Sequence, residues 1–207
     1  SGYQQSFQDI ASQISACKTC KDWMDVYRRL VHWELELSGA DSSMTEMLGM
    51  QKEDADNGFA KYVKAHYMDW MDDIAAAQQA ATGAVSKFRQ AHAPAFKPRA
   101  DVEERPVMSV DIFKKKIFPL LDAGEKVFLI VIDNFRLDQW RVLSQEIGDM
   151  FDIDEQTYMS ILPTATQYAR NAIFSGLMPV RIAEMFPDLW VDEDEEEGKN
   201  LNEGPLI

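Results

Sequence analysis

The sequence predicts a helical bundle followed by an α/β domain whose sheet is incomplete. Three apolar stripes at helical spacing occupy the front of the chain, whereas the back alternates β-rich apolar runs with helix patterns. Apolar residues make up 46% and charged residues 27% of the 207 positions, which is typical of a globular protein. We therefore expect a bundle at residues 1–92, a linker at 93–106 and an α/β domain at 107–207.

Each helix of the predicted bundle has one apolar face, because apolar residues recur every three or four positions. The three stripes are Tyr3, Phe7, Ile10, Ile14 and Cys17; Trp23, Val26, Tyr27, Leu30, Trp33 and Leu37; and Phe59, Val63, His66, Trp70, Ile74, Ala77, Ala81, Val85 and Phe88. Capping-box patterns at residues 19–22 and 43–46 predict the starts of the second and third helices. Residues 38–41 predict the break between them, and residues 57–58 are a candidate interruption of the third helix.

The back of the chain alternates strands and helices. A helix is predicted from Ser109 to about Pro119, then a strand at 127–132, a helix at 136–148, a strand at 158–162 and a helix at 166–176. A strand that is apolar on both faces is typical of a parallel sheet, and the alternation is that of an α/β domain. Two strands do not complete such a sheet. We therefore expect its cover to come from a second copy or from further chain.

Charge, cysteine content and hydropathy exclude several classes of protein. The net charge is −14, and residues 142–207 hold 14 of the 35 acidic residues but only 3 of the 21 basic ones. This balance argues against broad DNA binding through phosphate contacts. Two cysteines are too few for a secreted disulfide scaffold, and no apolar run reaches the roughly 18 residues of a membrane span. Without a secretion signal, the sequence predicts a cytoplasmic protein.

Two further patterns leave alternatives open. Cys17-x-x-Cys20 is a redox pair, half of a zinc ribbon that lacks its second pair, or a helix end with two small apolar side chains. The acidic run at residues 192–197 is either a cation site or a solvated loop.

Polar side chains follow both predicted strands. Asp133 comes directly after the first strand, and Thr164 and Thr166 follow the second at the start of the next helix. Ligands bind outside the carboxyl ends of strands in open α/β sheets, and a helix N-terminus attracts phosphate oxygens. Asp133 is thus either a metal ligand or a helix cap. The threonines either face a phosphate group or cap the helix.

The sequence around these positions resembles a known enzyme superfamily. Pro-Thr-Ala-Thr at residues 163–166, with Gly-Leu-Met-Pro at 176–179, resembles the nucleophile segment of the alkaline phosphatase superfamily. Residues 131–136 and 162–171 are similar to PglZ domains. The combination resembles the effector half of PorX-type response regulators of Bacteroidetes, in which a phosphorylatable receiver precedes a helical bundle and a PglZ domain.

The resemblance implies an alkaline-phosphatase-like fold for residues 107–207 and a zinc-dependent phosphodiesterase or phosphatase. It implies that Thr166 is the nucleophile and contacts a metal, with Thr164 as its substitute. It also implies that Asp133 is a zinc ligand. Arg170 and Asn171 are candidate substrate contacts, and a surface salt bridge is the alternative for Arg170. A metal is needed because a threonine hydroxyl is a weak nucleophile until its pKa is lowered.

The metal site implied by the resemblance is not complete in this sequence. Two zinc ions need several His and Asp ligands, and the three histidines, His32, His66 and His92, match no ligand motif. His66 lies on the apolar stripe of the third helix, which favours a core position. We expect the remaining ligands outside this chain, and therefore expect this chain alone to be inactive.

Two classes of function follow from the resemblance. The first is an enzyme, the effector of a two-component response regulator that is linked to regulation of type IX secretion. Its expected partners are an upstream receiver domain, a sensor kinase, a phosphodiester substrate and a second copy of the chain. The second is a non-catalytic signalling or interaction module that binds a transcription factor or a secretion component. Intact Asp133 and Thr166 favour the enzyme.

Overall fold

The computed structural model of the chain describes residues 2–81, 105–190 and 202–207. These residues form two compact units, of which the first comprises 2–73 and 134–155 and the second 74–81, 105–133, 156–190 and 202–207. The acidic run at 192–197, most of the predicted linker at 93–106, and Val85, Phe88 and His92 lie outside the described residues. The expected limits of the bundle and the α/β domain therefore stay predictions.

The described residues are mainly helical. The α-helices are α1 (Gly2–Ala16), α2 (Cys20–Glu36), α3 (Ser42–Ala81), α4 (Phe118–Asp122), α5 (Leu137–Ile147), α6 (Thr166–Ser175), α7 (Pro179–Met185) and α8 (Glu203–Leu206). Shorter turns are the 3-10 helices Ser109–Asp111 and Pro187–Leu189 and the π-helix Phe113–Ile117.

The three predicted helices of the bundle are confirmed, and apolar residues from all three meet in one cluster of the first unit. Every member of this cluster is at most 6% exposed: Phe7, Ile10, Val26, Leu30, Leu37, Leu48 and Ala55. Burial of a large apolar side chain contributes about 1.5–3 kcal/mol, so this cluster stabilises the bundle. Leu48 and Ala55 come from the first half of α3, for which the sequence predicts no stripe.

The capping box before α2 is confirmed. The Thr19 hydroxyl accepts a hydrogen bond from the Asp22 backbone N–H at 3.1 Å. The Asp22 carboxylate accepts from the backbone N–H groups of Lys18 at 3.0 Å and Thr19 at 2.8 Å. These hydrogen bonds from Lys18 and Thr19 hold the pKa of Asp22 below its ordinary value. Reciprocal capping satisfies backbone donors that α2 leaves without a helical partner.

The predicted capping box at residues 43–46 is wrong by two residues. Helix α3 begins at Ser42, and the Asp41 carboxylate accepts the backbone N–H of Met44 at 3.0 Å. The backbone carbonyl of Asp41 also accepts a hydrogen bond from the Thr45 hydroxyl at 2.7 Å. An aspartate is as good an N-cap as a serine, and here it lies at the end of the turn that follows α2.

Residues 57–58 do not interrupt α3, contrary to the expectation from the sequence. The helix is continuous through Gly58, and the buried Trp23 ring of α2 lies against its backbone. A Cβ atom at position 58 would lie 2.3 Å from Cη2 of Trp23. The same ring packs against Phe59, with 6.1 Å between the ring centroids. Gly58 is therefore a position of close helix packing rather than a helix stop.

The predicted helix at 136–148 forms as α5 and packs against α2 within the first unit. Glu155 joins the two helices. Its carboxylate accepts hydrogen bonds from Trp140 Nε1 at 2.8 Å and Arg141 Nη2 at 2.9 Å. It also lies 3.4 Å from Nε of Arg28 on α2. A half-buried carboxylate with two hydrogen-bond donors and one further cation thus links α2 and α5, and hydrophobic periodicity does not reveal this contact.

The second unit contains one short parallel pairing. Met159 donates its N–H to the carbonyl of Val107 at 2.8 Å and accepts the N–H of Ser109 at 3.2 Å. The Ser109 hydroxyl then accepts the N–H of Ile161 at 3.1 Å. Ser109, predicted as a helix N-cap, instead bonds to the predicted strand at 158–162. The cap position belongs to Met108.

The predicted buried strand at residues 127–132 is not formed. Phe128 is 91% and Ile130 80% exposed, and no described residue pairs with the backbone of this segment. Within the described ranges the structure contains no β-strand, only the bridge between Met108 and Met159. A parallel strand gains its stability from neighbours along its edges and cover on both faces. The helical part of the predicted fold class is therefore confirmed, and the sheet is not.

A largely buried ion pair between Arg105 and Asp111 lies in the second unit. The Asp111 carboxylate accepts Nη1 and Nη2 of Arg105 at 2.5 and 2.8 Å, and the N–H of Met108 at 2.9 Å. Burial raises the pKa of Asp111, but the Arg105 and Met108 hydrogen bonds outweigh burial and hold it below its ordinary value. This paired carboxylate fixes the turn from which the Met108–Met159 bridge begins.

Candidate active site

The exposed start of α6 carries Thr166. Thr166 is the first residue of the helix, and the N-cap position before it belongs to Ala165, whose side chain makes no capping bond. Thr164 and Thr166 are both exposed. The Thr166 hydroxyl forms no hydrogen bond with any residue that the structure describes. Thr166 is thus not the N-cap of this helix, and its hydroxyl faces solvent beside free backbone N–H groups of the first turn.

Arg170 lies one turn further along α6, on the same face as Thr166. Its Nη1 atom is 3.6 Å from Oδ2 of Asp133. Its Nε atom forms an ion pair with Glu203 of α8. The side chains of Arg170 and Glu203 are 22% and 21% exposed, and that of Asp133 is 56% exposed. Asp133, Arg170 and Glu203 therefore form one charged group along the face of α6 that begins with Thr166.

Asn171 is not part of this group. Its side chain is completely buried, and its carbonyl accepts the Ser175 hydroxyl at 2.7 Å. Adjacent residues of a helix point about 100° apart, so Asn171 and Arg170 do not share a face. The role of Asn171 as a substrate contact stays a prediction.

The far end of α6 is held by a glutamine that the sequence analysis did not single out. Gln78 of α3 donates Nε2 to the carbonyl of Gly176 at 3.2 Å, and its Oε1 accepts the N–H of Met178 at 3.4 Å. Gly176 has φ +65°, and a Cβ atom there would lie 3.4 Å from the Val110 carbonyl oxygen. The Gly-Leu-Met turn is thus fixed by one buried amide. No local pattern reveals it, because the partners are 98 residues apart.

Glu203 is the other residue that the sequence analysis missed. It lies 33 positions after Arg170, beyond any helical or strand spacing. The only signal available from the sequence is its isolation as a single carboxylate between the small and apolar residues of 201–207. That signal does not identify a partner.

The donor set accounts for only part of the expected metal site. In residues 2–81, 105–190 and 202–207, no three His, Cys, Asp or Glu side chains form a group that could hold a metal ion. His66 instead packs between Tyr62 and Trp70, with ring centroids 4.5 and 6.2 Å away. The exposed Asp133 carboxylate is a group that zinc binds in enzymes, and the roles of Asp133 and Thr166 as zinc ligands stay predictions.

Two segments of the chain match known families. Residues 112–207 match the family described as the BREX system PglZ alkaline phosphatase-like domain. This is a hydrolase family, in a superfamily that commonly uses metal ions. Residues 1–71 match the PorX response regulator linker domain.

The chain therefore carries, in order, residues that match a response regulator linker domain and residues that match a PglZ alkaline phosphatase-like domain, which is the domain order of the PorX-type effector region. This confirms the resemblance inferred from the sequence. The linker domain implies a response regulator with an upstream receiver domain. A search of curated proteins finds no match. None of the helices in the described ranges is long and apolar enough to span a bilayer.

Proposed function

We propose that this chain belongs to the effector of a two-component response regulator whose complete PglZ domain hydrolyses a phosphate ester at a zinc site. The observation that carries the proposal is the arrangement on α6. The Thr166 hydroxyl, which makes no hydrogen bond with the described residues, shares one helix face with the Arg170 guanidinium. Arg170 in turn lies 3.6 Å from Asp133. The family match to an alkaline phosphatase-like domain supports the same reaction class.

In this proposal Thr166, Arg170 and Asp133 have different roles in the reaction. Thr166 supplies the attacking oxygen, and the free N–H groups at the helix start favour the negative charge of the phosphate. Arg170 donates to a phosphate oxygen, since a guanidinium binds phosphate with strong, directional hydrogen bonds. Asp133 and Thr166 would hold zinc. When bound, zinc lowers the pKa of a coordinated hydroxyl and stabilises developing negative charge.

The wider role follows from the linker domain. We propose that an upstream receiver domain, phosphorylated by a sensor kinase, controls the PglZ domain through the bundle, in the cytoplasm, as part of the regulation of type IX secretion. A second copy of the chain and a phosphodiester substrate are the expected partners. The exposed apolar segment 127–132 supports a need for further cover, from a second copy or from further chain.

A second candidate function is a non-catalytic module that passes the receiver's state to a transcription factor or a secretion component. The match of residues 1–71 to a response regulator linker domain favours it, because a linker transmits a signal whether or not the following domain is catalytic. The two functions differ in one observable. Only the enzyme loses its output when the Thr166 hydroxyl is removed.

The deciding experiment is Thr166→Val in the full-length regulator, assayed with added zinc on an aryl phosphodiester. Valine keeps the shape of threonine and removes the nucleophile. We expect a folded variant with turnover reduced more than about 1,000-fold. Thr164→Val is the matched control, since it changes the same residue type in the same exposed turn and should retain measurable activity.

The result that would overturn the nucleophile assignment is equally definite. If the Thr166 variant retains more than about a tenth of wild-type turnover, the barrier has changed by less than about 1.4 kcal/mol. That change is too small for loss of an attacking group. Absence of turnover in the wild-type regulator would instead favour the signalling module.

A further inference from the structure

We propose, resting on the proposed function, that Glu203 is a positioning residue that presents Arg170 to the phosphate group of the substrate. This proposal is based on the two contacts of the Arg170 guanidinium. Its Nε atom pairs with Glu203, and its Nη1 atom, on the other side of the guanidinium, faces Asp133. Glu203 acts through Arg170 and does not itself contact substrate.

The two carboxylates hold Arg170 to different degrees. Nη1 of Arg170 is 3.6 Å from Asp133, which is longer than a hydrogen bond, whereas Nε is in direct contact with Glu203. The Glu203 side chain is also the more buried of the two. An incoming phosphate oxygen can therefore replace Asp133 at the Nη edge while Glu203 keeps the guanidinium in place. Asp133 is then released for other ligands.

Glu203 is itself fixed by its surroundings. It begins α8, and this short helix packs against α6. On one side, Asn202 donates Nδ2 to the carbonyl of Leu189 at 2.6 Å. On the other side, the Leu206 side chain is buried. A carboxylate on a helix that is held on both sides restricts the rotamers of its arginine partner, and it thereby reduces the entropy that Arg170 loses on binding a phosphate group.

The same unit provides a matched control pair. Arg181 and Glu184 form an ion pair within α7, three residues apart. Glu184 is 54% exposed, and among the described residues the ion pairs of Arg170 with Asp133 and Glu203 do not include Arg181 or Glu184. Glu184→Gln therefore removes an arginine-paired carboxylate of the same kind without touching the charged group on α6.

The test uses the full-length regulator with zinc and measures kcat, KM and competitive inhibition by inorganic phosphate. We expect Glu203→Gln to weaken inhibition by inorganic phosphate about tenfold and to raise KM. Glu203→Asp, which keeps the charge, should recover most of this loss, and Glu184→Gln should behave as wild type. In an Arg170→Ala background, Glu203→Gln should change neither KM nor inhibition by inorganic phosphate any further, because Glu203 acts only through Arg170.

The outcomes separate the two proposals. If the wild-type regulator neither turns over the aryl phosphodiester nor binds inorganic phosphate, the proposed function fails. If the wild-type regulator is active, and the Glu203→Gln variant has the same turnover and the same inhibition by inorganic phosphate, the positioning role of Glu203 fails. Equal losses from Glu203→Gln with and without Arg170 also overturn it, because they indicate a purely structural effect. Should Glu203→Gln melt below the assay temperature, the same comparison in both backgrounds is made at a temperature below its melting point.

Discussion

Replacement of Gly58 by alanine tests the close approach of α2 and α3. The two helices meet where the Trp23 ring lies on the bare backbone of Gly58. A methyl group at position 58 would lie 2.3, 3.1 and 3.2 Å from three carbon atoms of that ring. Carbon atoms pack at about 3.5–4.0 Å, so either the ring or the helix has to move.

Two opposing contributions decide the sign of the effect. In a helix interior, alanine is more favourable than glycine by about 1 kcal/mol of helix propensity. Overpacking a well-filled interface costs about 1–3 kcal/mol, and the buried Trp23 ring is also in contact with Phe59. We therefore expect Gly58→Ala to lower the free energy of unfolding by up to about 2 kcal/mol.

Gly49→Ala is the matched control, because it lies in the same helix and a Cβ atom there meets nothing within 4 Å. It should raise stability by about 1 kcal/mol through helix propensity alone. Thermal and urea unfolding, followed by tryptophan fluorescence, should order the proteins as Gly49→Ala, wild type, Gly58→Ala. A difference of 2 kcal/mol corresponds to about 4–8 °C in Tm for a chain of this size. A Gly58→Ala protein that is as stable as Gly49→Ala would refute the packing argument.

Two further predictions concern buried carboxylates. Asp111→Ala should lower the free energy of unfolding by about 3–5 kcal/mol, because it leaves the largely buried Arg105 guanidinium without its carboxylate. The control is Asp138→Ala, which removes an exposed ion pair and should leave Tm nearly unchanged. Because the folded pKa of Asp111 lies below its ordinary value of 3.8, its contribution is present above that pH and is lost as pH falls through the folded pKa. The Tm difference between wild type and Asp111→Ala should accordingly shrink on acidification, and a constant difference would contradict the pairing. Glu155→Gln weakens a carboxylate that accepts two hydrogen bonds and faces Arg28, and it should lower the free energy of unfolding by about 1–3 kcal/mol, against no change for the exposed Glu146→Gln on α5.

The helices of the bundle were predictable because their signals are local. Apolar residues three and four positions apart share a helix face, and a capping box needs only residues within one turn. The confirmed cap at Thr19 and the break after Leu37 depend on nothing further along the chain. The start of α3 was misplaced because Asp41 and Ser43 are both good caps. The choice between them depends on the path of the preceding turn.

The strands were less predictable because a strand is a relationship between segments. Residues 127–132 have the composition of a buried strand, yet without a neighbour among the described residues they remain exposed and unpaired. Residues 158–162 pair with the segment at 107–109 through Met159 and Ile161. Composition indicates that a segment can enter a sheet, whereas the ladder requires edges that other segments supply.

Part of the candidate site was visible in the sequence. Thr166 follows a predicted strand at a helix start, and Arg170 lies one turn further along that helix, so the sharing of a face follows from helix geometry alone. The contact of Arg170 with Asp133 and its pairing with Glu203 do not follow from any spacing. They join segments that are 37 and 33 residues from Arg170 in the chain.

The sequence by itself determined the three-helix bundle, the helix that starts at Thr166 and the resemblance to PorX-type effectors with a PglZ domain. These depend on periodicity, capping and short motifs, whose interactions act over a few residues. The tertiary structure alone decided that Gly58 serves packing, that Gln78 fixes the end of α6 and that Arg170 is held by Glu203. Each of these is a contact between segments distant in the chain. Its energy depends on where the backbone brings two groups together, and one-dimensional spacing does not contain that information.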